Sequence, residues 1–383
     1  KYNFQYSTDN RTTWNTLSGL TWQSAIVAAG EVADGTKVYG RVMAYDAVLN
    51  DDGYSLHVST RIDATAPVVT DETEGPTRTN NATPTWTWSV VETGSGLDYF
   101  LVTLDSELPV RTTGTSFTPS SRLTDGDHKL FVQGVDKVGN TDPAVELKTV
   151  TIDTTPPAVP GMPKTTSPTN NRSPVWTWGA VADAAKYRVF EDELDRGFVT
   201  EPTYTSDNLG EGTHYLQVTA LDALGNESAK SEAGYVVIDL TAPAVPEMAG
   251  LPAYTNADAL MLVWTAVDSA VKYDVEYTIA GVTTTVEDID VQTLTIDIGS
   301  AVDGDEITAK VRAYDAVGNV SGWSNVVSTT VDRTGPVVSI VTTPVSPTNN
   351  PRPTWAWSGA DPLSGVDYYI VTLGSELPFE TEG

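Results

Sequence analysis

The chain has 383 residues, with 51 acidic against 22 basic side chains and a formal net charge of −29. That balance argues against nucleic-acid binding and against anionic membrane surfaces, both of which need a positive face, and it invites cations. There are no cysteines, which excludes disulfides and thiol chemistry, and no apolar run reaches the ~18 residues of a membrane span.

Val, Thr, Tyr and Trp are plentiful, Pro and Gly punctuate at short intervals, and long 3.6-residue patterns are missing. This is an all-β composition of short strands and frequent turns. The chain opens on Lys1 rather than an initiator methionine and carries no signal peptide, so it reads as a piece of something longer. Its first strand, "KYNFQY" (1–6), is echoed by "KYDVEY" (272–277). An acid–glycine turn follows at Asp34-Gly35, then "AYDAVLN" with Asp46, then "RIDATAP" with Asp63. Residues 1–63 therefore read as the C-terminal part of a domain whose other copies follow.

The next unit begins with "PTWTWS", in which Trp86 and Trp88 stand two apart. On a strand those side chains share a face, and the face expected is the core. Glu92 follows at once, then Asp125-Gly126, "GVDKVGN" with Asp136, and "TIDTTPP" with Asp153. The pattern returns as "PVWTWG" (Trp176, Trp178), Asp183, Glu211-Gly212, "ALDALGN" (Asp222) and "YVVIDLTAPAVP" (Asp239). It returns again as "MLVWTA" (Trp264), Asp268, Asp303-Gly304, "AYDAVGN" (Asp315) and "TVDRTGP" (Asp332). The chain closes on "PTWAWS" (Trp355, Trp357) and Asp361. The D-x-x-[GL]-N and D-x-T-x-P landmarks each recur at intervals of 90, 86 and 93 residues, always 17 apart. A hairpin of fixed register explains a constant offset inside units of varying length. "SGLDYFLVTLDSELP" (95–109) and "SGVDYYIVTLGSELP" (364–378) mark the same subtype, so the order is A, B, C, A, B with a super-repeat of 269 residues.

Units of about 90 residues with some seven strands and an early tryptophan fit an immunoglobulin-like β-sandwich. The expected organisation is a linear array: a partial domain at 1–63, whole domains at 64–153, 154–239 and 240–332, and a partial domain at 333–383. With "ALDALGN…SEAGYVVIDLTAPAVP" (220–246) the chain resembles the tandem bacterial immunoglobulin-like domains of giant, type I-secreted surface adhesins of Gram-negative bacteria. That resemblance implies calcium ions that stiffen the junctions between domains. The chain departs from it in its Trp-rich front ends and in Leu49, which stands where the other turns have glycine.

In such a sandwich successive loops alternate between two poles. The turn aspartate of one domain then meets the linker aspartate of the domain before: Asp136 meets Asp63, Asp222 meets Asp153, and Asp315 meets Asp239. The loop after the tryptophan strand adds Glu92, Asp183, Asp268 and Asp361 at the same pole. Asp34, Asp125, Glu211 and Asp303 approach each junction from the other side, and Asp332 opens the last one. Packed carboxylates repel, at ~4 kcal/mol for a pair 4 Å apart near an effective dielectric of 20. Ca²⁺, which takes oxygen ligands from irregular loops, relieves that cost better than Mg²⁺. With no Cys and His57, His128 and His214 scattered, zinc is not expected. Asn140, Asn226 and Asn319 either add a carbonyl ligand or shape the turn. The alternative for each aspartate is turn chemistry alone.

No catalytic motif stands out. The expected function is an extracellular, cell-surface adhesin stalk, with neighbouring domains of the same chain as partners. Host or surface glycans or proteins would be met through regions outside this segment. The alternatives are a self-assembling fibre or sheath subunit and a set of carbohydrate-binding repeats built on the tryptophans.

Overall fold

The computed structural model describes residues 1–21, 23–27, 32–374 and 377–382. Ser375 and Glu376, in the second copy of the 95–109 motif, lie outside the described residues. The chain is an all-β array of immunoglobulin-like sandwich domains.

The Trp86–Val91 strand shows how the sequence builds one of them. It pairs with Val68–Asp71 on one side and Ser116–Phe117 on the other. Trp86 and Trp88 are 0% and 3% exposed. They face a second sheet in which Leu97–Leu104 and Leu130–Asp136 pair antiparallel, flanked by Val110–Thr112 and Val145–Glu146. Period-2 alternation sends Phe100, Val102 and Leu104 inward from one strand and Leu130 and Val132 from the next. Arg78–Thr79 runs parallel to Val150–Ile152, which pairs antiparallel with Gly126–His128 in a small sheet of its own. A truncation of such a fully buried Trp to Ala costs about 3–5 kcal/mol.

The next two domains repeat the plan around separate cores, one built on Trp176 and Trp178 and one on Trp264. The inner tryptophan meets an aromatic from the facing sheet edge-on every time. Trp88–Phe100, Trp178–Tyr187 and Trp264–Tyr273 have centroids 5.4, 5.5 and 5.6 Å apart. In these domains the paired tryptophans are core, which removes them as a sugar-binding platform. The last unit differs: Trp357 packs edge-on to Tyr369 at 6.1 Å, but Trp355 is 44% exposed. The second sheet is represented there by Tyr368–Val371 and Phe379–Glu382 alone among the described residues, too little to cover both rings.

The constant 17-residue offset has a structural cause. Gly212–Leu221 pairs antiparallel with Gly234–Ile238, from Gly212 opposite Ile238 to Leu216 opposite Gly234. Between them, Ser228 and Ser231 reach back and accept from the amides of Ala220 and Val218. Ser321 and Ser324 do the same for Ala313 and Val311. The ten residues of Gly212–Leu221 span ~33 Å. Asp222 and Asp239 therefore sit at opposite poles, while Asp239 lies beside Glu211.

Candidate metal centre

Each D-x-x-G-N turn is organised by its own aspartate. Asp136 Oδ1 accepts from the amides of Val138, Gly139 and Asn140 at 3.0, 2.6 and 2.7 Å. Asp315 Oδ1 does so from Val317, Gly318 and Asn319 at 3.0, 2.8 and 2.8 Å. Asp222 accepts from Leu224 and Asn226. Burial pushes these three carboxyls up, but the hydrogen bonds from the turn's asparagine and amides outweigh it and hold them below the usual value. Leu49 occupies the first such turn with φ +70°, against +96° for Gly139, and its amide still reaches Asp46 O at 3.2 Å. The turn is kept, at the cost of left-handed backbone on a γ-branched residue, about 1 kcal/mol.

The turn's asparagine then straps one domain to the next. Asn140 Nδ2 donates to Asp136 Oδ2 at 2.7 Å and to the main-chain carbonyl of Asp63 at 3.0 Å. Asn226 ties Asp222 to the Asp153 carbonyl, and Asn319 ties Asp315 to the Asp239 carbonyl, both at 2.9 Å across the junction. The asparagine is thus a donor between domains, with its Nδ2 engaged at both ends. Asn80 adds a second contact, donating to the Leu224 carbonyl of the following domain at 2.9 Å.

The acids at the far side of each junction hold the linker itself. Asp34 accepts from the Ala64 amide at 2.7 Å and the Thr65 hydroxyl at 2.5 Å. Asp125 takes the Thr154 amide and the hydroxyls of Thr154 and Thr155. Glu211 takes the Thr241 hydroxyl, and Asp303 takes the Arg333 amide and the Thr334 hydroxyl. The linker threonine hydroxyls, before the amides, hold Asp34, Asp125 and Asp303 below the ordinary carboxylate value. These four side chains act as linker clasps, and none joins a cluster of three ligating groups among the described residues. Threonine in D-x-T-x-P is their sequence signal.

One junction gathers carboxylates closely. Asp63, Glu92 and Asp136 each offer an oxygen within 4.8 Å of the other two. Asp136 is 1% exposed. Asp63 Oδ2 accepts from the Ser95 amide, and a β-carbon on Gly94 would fall on the Asp63 carboxylate, so glycine is needed there. Glu92 Oε1 accepts from the Gly94 amide at 2.6 Å, but Oε2 is buried with no partner. At the fourth junction Asp361, in the place of Glu92, likewise has a buried, unpartnered Oδ2, and Asp332 Oδ2 accepts from Ser364 at 3.1 Å. The all-oxygen donor set and a desolvated carboxylate oxygen with nothing facing it suit a hard divalent cation. The second and third junctions differ: Asp183 and Asp268 are exposed. Neither Asp153, Asp183 and Asp222 nor Asp239, Asp268 and Asp315 form a comparable trio among the described residues. The shorter loops after their tryptophan strands lack the Ser-Gly step that turns Glu92 and Asp361 inward.

Two of the three histidines, His128 and His214, belong to a separate feature that sequence spacing left unexplained. His128 sits between Asp105 Oδ2 on Nδ1 and the Thr124 carbonyl on Nε2, both at 2.8 Å. His214 sits between Asp192 Oδ2 at 2.7 Å and the Gly210 carbonyl at 3.1 Å. Two acceptors favour the doubly protonated ring. Burial lowers both histidines, and the aspartate and carbonyl overcome it, leaving them raised.

Residues 59–154 match the family model of the bacterial Ig-like domain. This stretch is a bacterial Ig-like domain. The chain is 33% identical over 323 residues, 77% of its length, to Exoglucanase B of Cellulomonas fimi. It is 37% identical over 203 residues, 49% of its length, to Chitinase A1 of Niallia circulans. The alignments span 28% of each relative's length. Among solved structures, a Ca²⁺-stabilized adhesin with which an Antarctic bacterium binds ice aligns with 86% of this chain and 90% of its own. That alignment has 17% identity and a TM-score of 0.43. The fibronectin(III)-like modules of CbhA from Clostridium thermocellum align over 44% of this chain and 94% of theirs, at 18% identity and a TM-score of 0.30.

Proposed function

We propose that this row of Ig-like domains is an extracellular spacer whose A-to-B junctions are closed by calcium, carrying an adhesive part away from the cell surface. The carrying observation is the partnerless Glu92 Oε2 beside Asp63 and Asp136. Three carboxylates so placed repel one another, and a divalent cation turns that repulsion into a cross-link between linker and domain. Asp63, Glu92 and Asp136 would hold it, while the Asn140 strap fixes the approach of the two domains. The cysteine-free, acidic composition suits an oxidising, calcium-rich exterior. Small-angle scattering with and without EGTA tests the reading. Calcium should give the longer, stiffer particle, and Glu92→Gln should blunt the response. An unchanged maximum dimension sinks it.

The likeness to an exoglucanase and a chitinase favours a second reading, in which the same spacer separates modules of a secreted polysaccharide-degrading protein. The mechanics are identical and the cargo differs. A pelleting assay with insoluble chitin and cellulose separates spacer from carbohydrate-binding repeat: a spacer stays in the supernatant.

A further inference from the structure

The second junction contains a feature that the others lack among the described residues. Its linker carboxylate, Asp153 Oδ2, is met by the Arg78 guanidinium at 2.6 Å. Arg78 lines the same cavity as Asp153, Asp183 and Asp222, the acids that the repeat pattern assigns to this junction. The backbone fixes which residue stands at that place in each domain. The amides of Asp153, Asp239 and Asp332 donate to the carbonyls of Thr79, Thr169 and Thr255 at 2.9, 3.0 and 2.9 Å. The residue before that threonine is Arg78 in one domain, Pro168 in the next and Tyr254 in the third. Only the first of these brings a charge.

At the first and fourth junctions a carboxylate oxygen is buried without a partner, at Glu92 and Asp361. At the second junction none of Asp153, Asp183 or Asp222 has such an atom among the described residues, and neither does any of Asp239, Asp268 or Asp315 at the third, so what sets the second apart is the Arg78 ion pair. The base nearest the first trio in sequence, Lys137, places its Nζ beside Gly96.

We propose that Arg78 is the built-in cation of the second junction: a guanidinium takes the place that a divalent ion takes at the first, and keeps that ion out. The array then combines metal-dependent joints, the first and the fourth, with a second joint that holds without metal. A guanidinium suits the role because it stays charged at any physiological pH and presents several N–H donors to carboxylates. It cannot be chelated away, so this joint holds when calcium is withdrawn. The inference deepens the calcium reading of the first junction and rests on it for the comparison, but the test separates the two.

Calorimetric titration of the full chain with calcium chloride counts the ions. Arg78→Ala should bind about one more calcium than the native chain. Arg78→Lys, which keeps a positive charge, should gain none, and Asp153→Asn placed on Arg78→Ala should abolish the gain. The Arg78 side chain is 66% exposed, so its truncation leaves the core intact. Equal stoichiometry for native chain and Arg78→Ala overturns the proposal, as does an equal gain in Arg78→Lys. Failure of the first-junction reading shows separately, as no loss of an ion in Glu92→Gln.

Discussion

At the first junction Asp63 lies with Glu92 and Asp136, and its carboxylate accepts from the Ser95 amide. At the second, Asp153, one repeat on, gives its carboxylate to Arg78. The two joints share three features: an aspartate-centred turn, an asparagine strap to the linker carbonyl, and an acid that clasps the linker threonines. The comparison teaches that the skeleton of the joint and its charge compensation are separate devices. The skeleton is hydrogen bonding of amides, asparagine and threonine to aspartate oxygens, and it recurs at both joints. The compensation depends on one or two side chains and varies from joint to joint.

The largest effect should come from removing the platform of one joint. Trp86→Ala takes away the core beneath Glu92 and Asp136, at about 3–5 kcal/mol. Denaturant titration should show one early transition while the Trp176 and Trp264 domains unfold as before. Loss of all transitions together would show that the domains are not independent.

Next, Asn140→Ala and Asn226→Ala remove the strap from either joint and leave an Asp carbonyl without its donor, about 1–2 kcal/mol. Because the strap is common to both, the two losses should be alike in calcium-free buffer. With calcium, the first joint should recover and the second should not. Equal recovery would erase the distinction between them.

The protonation dependences come third. Folded Asp136 and Asp222 lie below the usual value of 3.8. Their contribution is therefore present above that value and disappears as pH falls through their folded values. His128 and His214 are raised above 6.5, so theirs is present below 6.5 and lost as pH rises through the folded values. Unfolding followed at about pH 5.5 and about pH 8.5 should show the second and third domains weakening at the higher pH. The fourth, with buried Ile307 at the His position, should lack this loss. The smallest effect is at the turn: Gly139→Ala and Gly225→Ala should each destabilise by about 1 kcal/mol, as φ near +90° requires. Leu49→Gly should run the other way.

Much of this was legible in the chain. The repeat arithmetic marked the period, and the fixed offset of 17 followed from one hairpin register. Period-2 tryptophans gave the core of two whole domains and the single Trp264 that of the third, because burial follows the pleat. The approach of Asp136 to Asp63 also follows from the alternation of loops between poles. Less legible was what each acid does there. Asp34, Asp125, Glu211 and Asp303 look like ligands on a list of acids, yet linker hydroxyls and amides occupy them. The pairing of His128 with Asp105 is invisible in spacing, since Asp105 sits in the turn after Leu97–Leu104 and meets His128, on Gly126–His128, only through sheet register.

The sequence by itself determined the fold class, the period and the pole at which each landmark acid lies. All three depend on local pattern and on repetition, which survive without knowledge of contacts. Only the tertiary structure decided which carboxylates are desolvated and what faces them. Glu92 Oε2 is buried because Gly94 and Ser95 turn the loop over Asp63, and Asp153 is answered by a residue 75 positions away in sequence. Charge compensation is a matter of a few ångströms across strands, and no sequence interval encodes it.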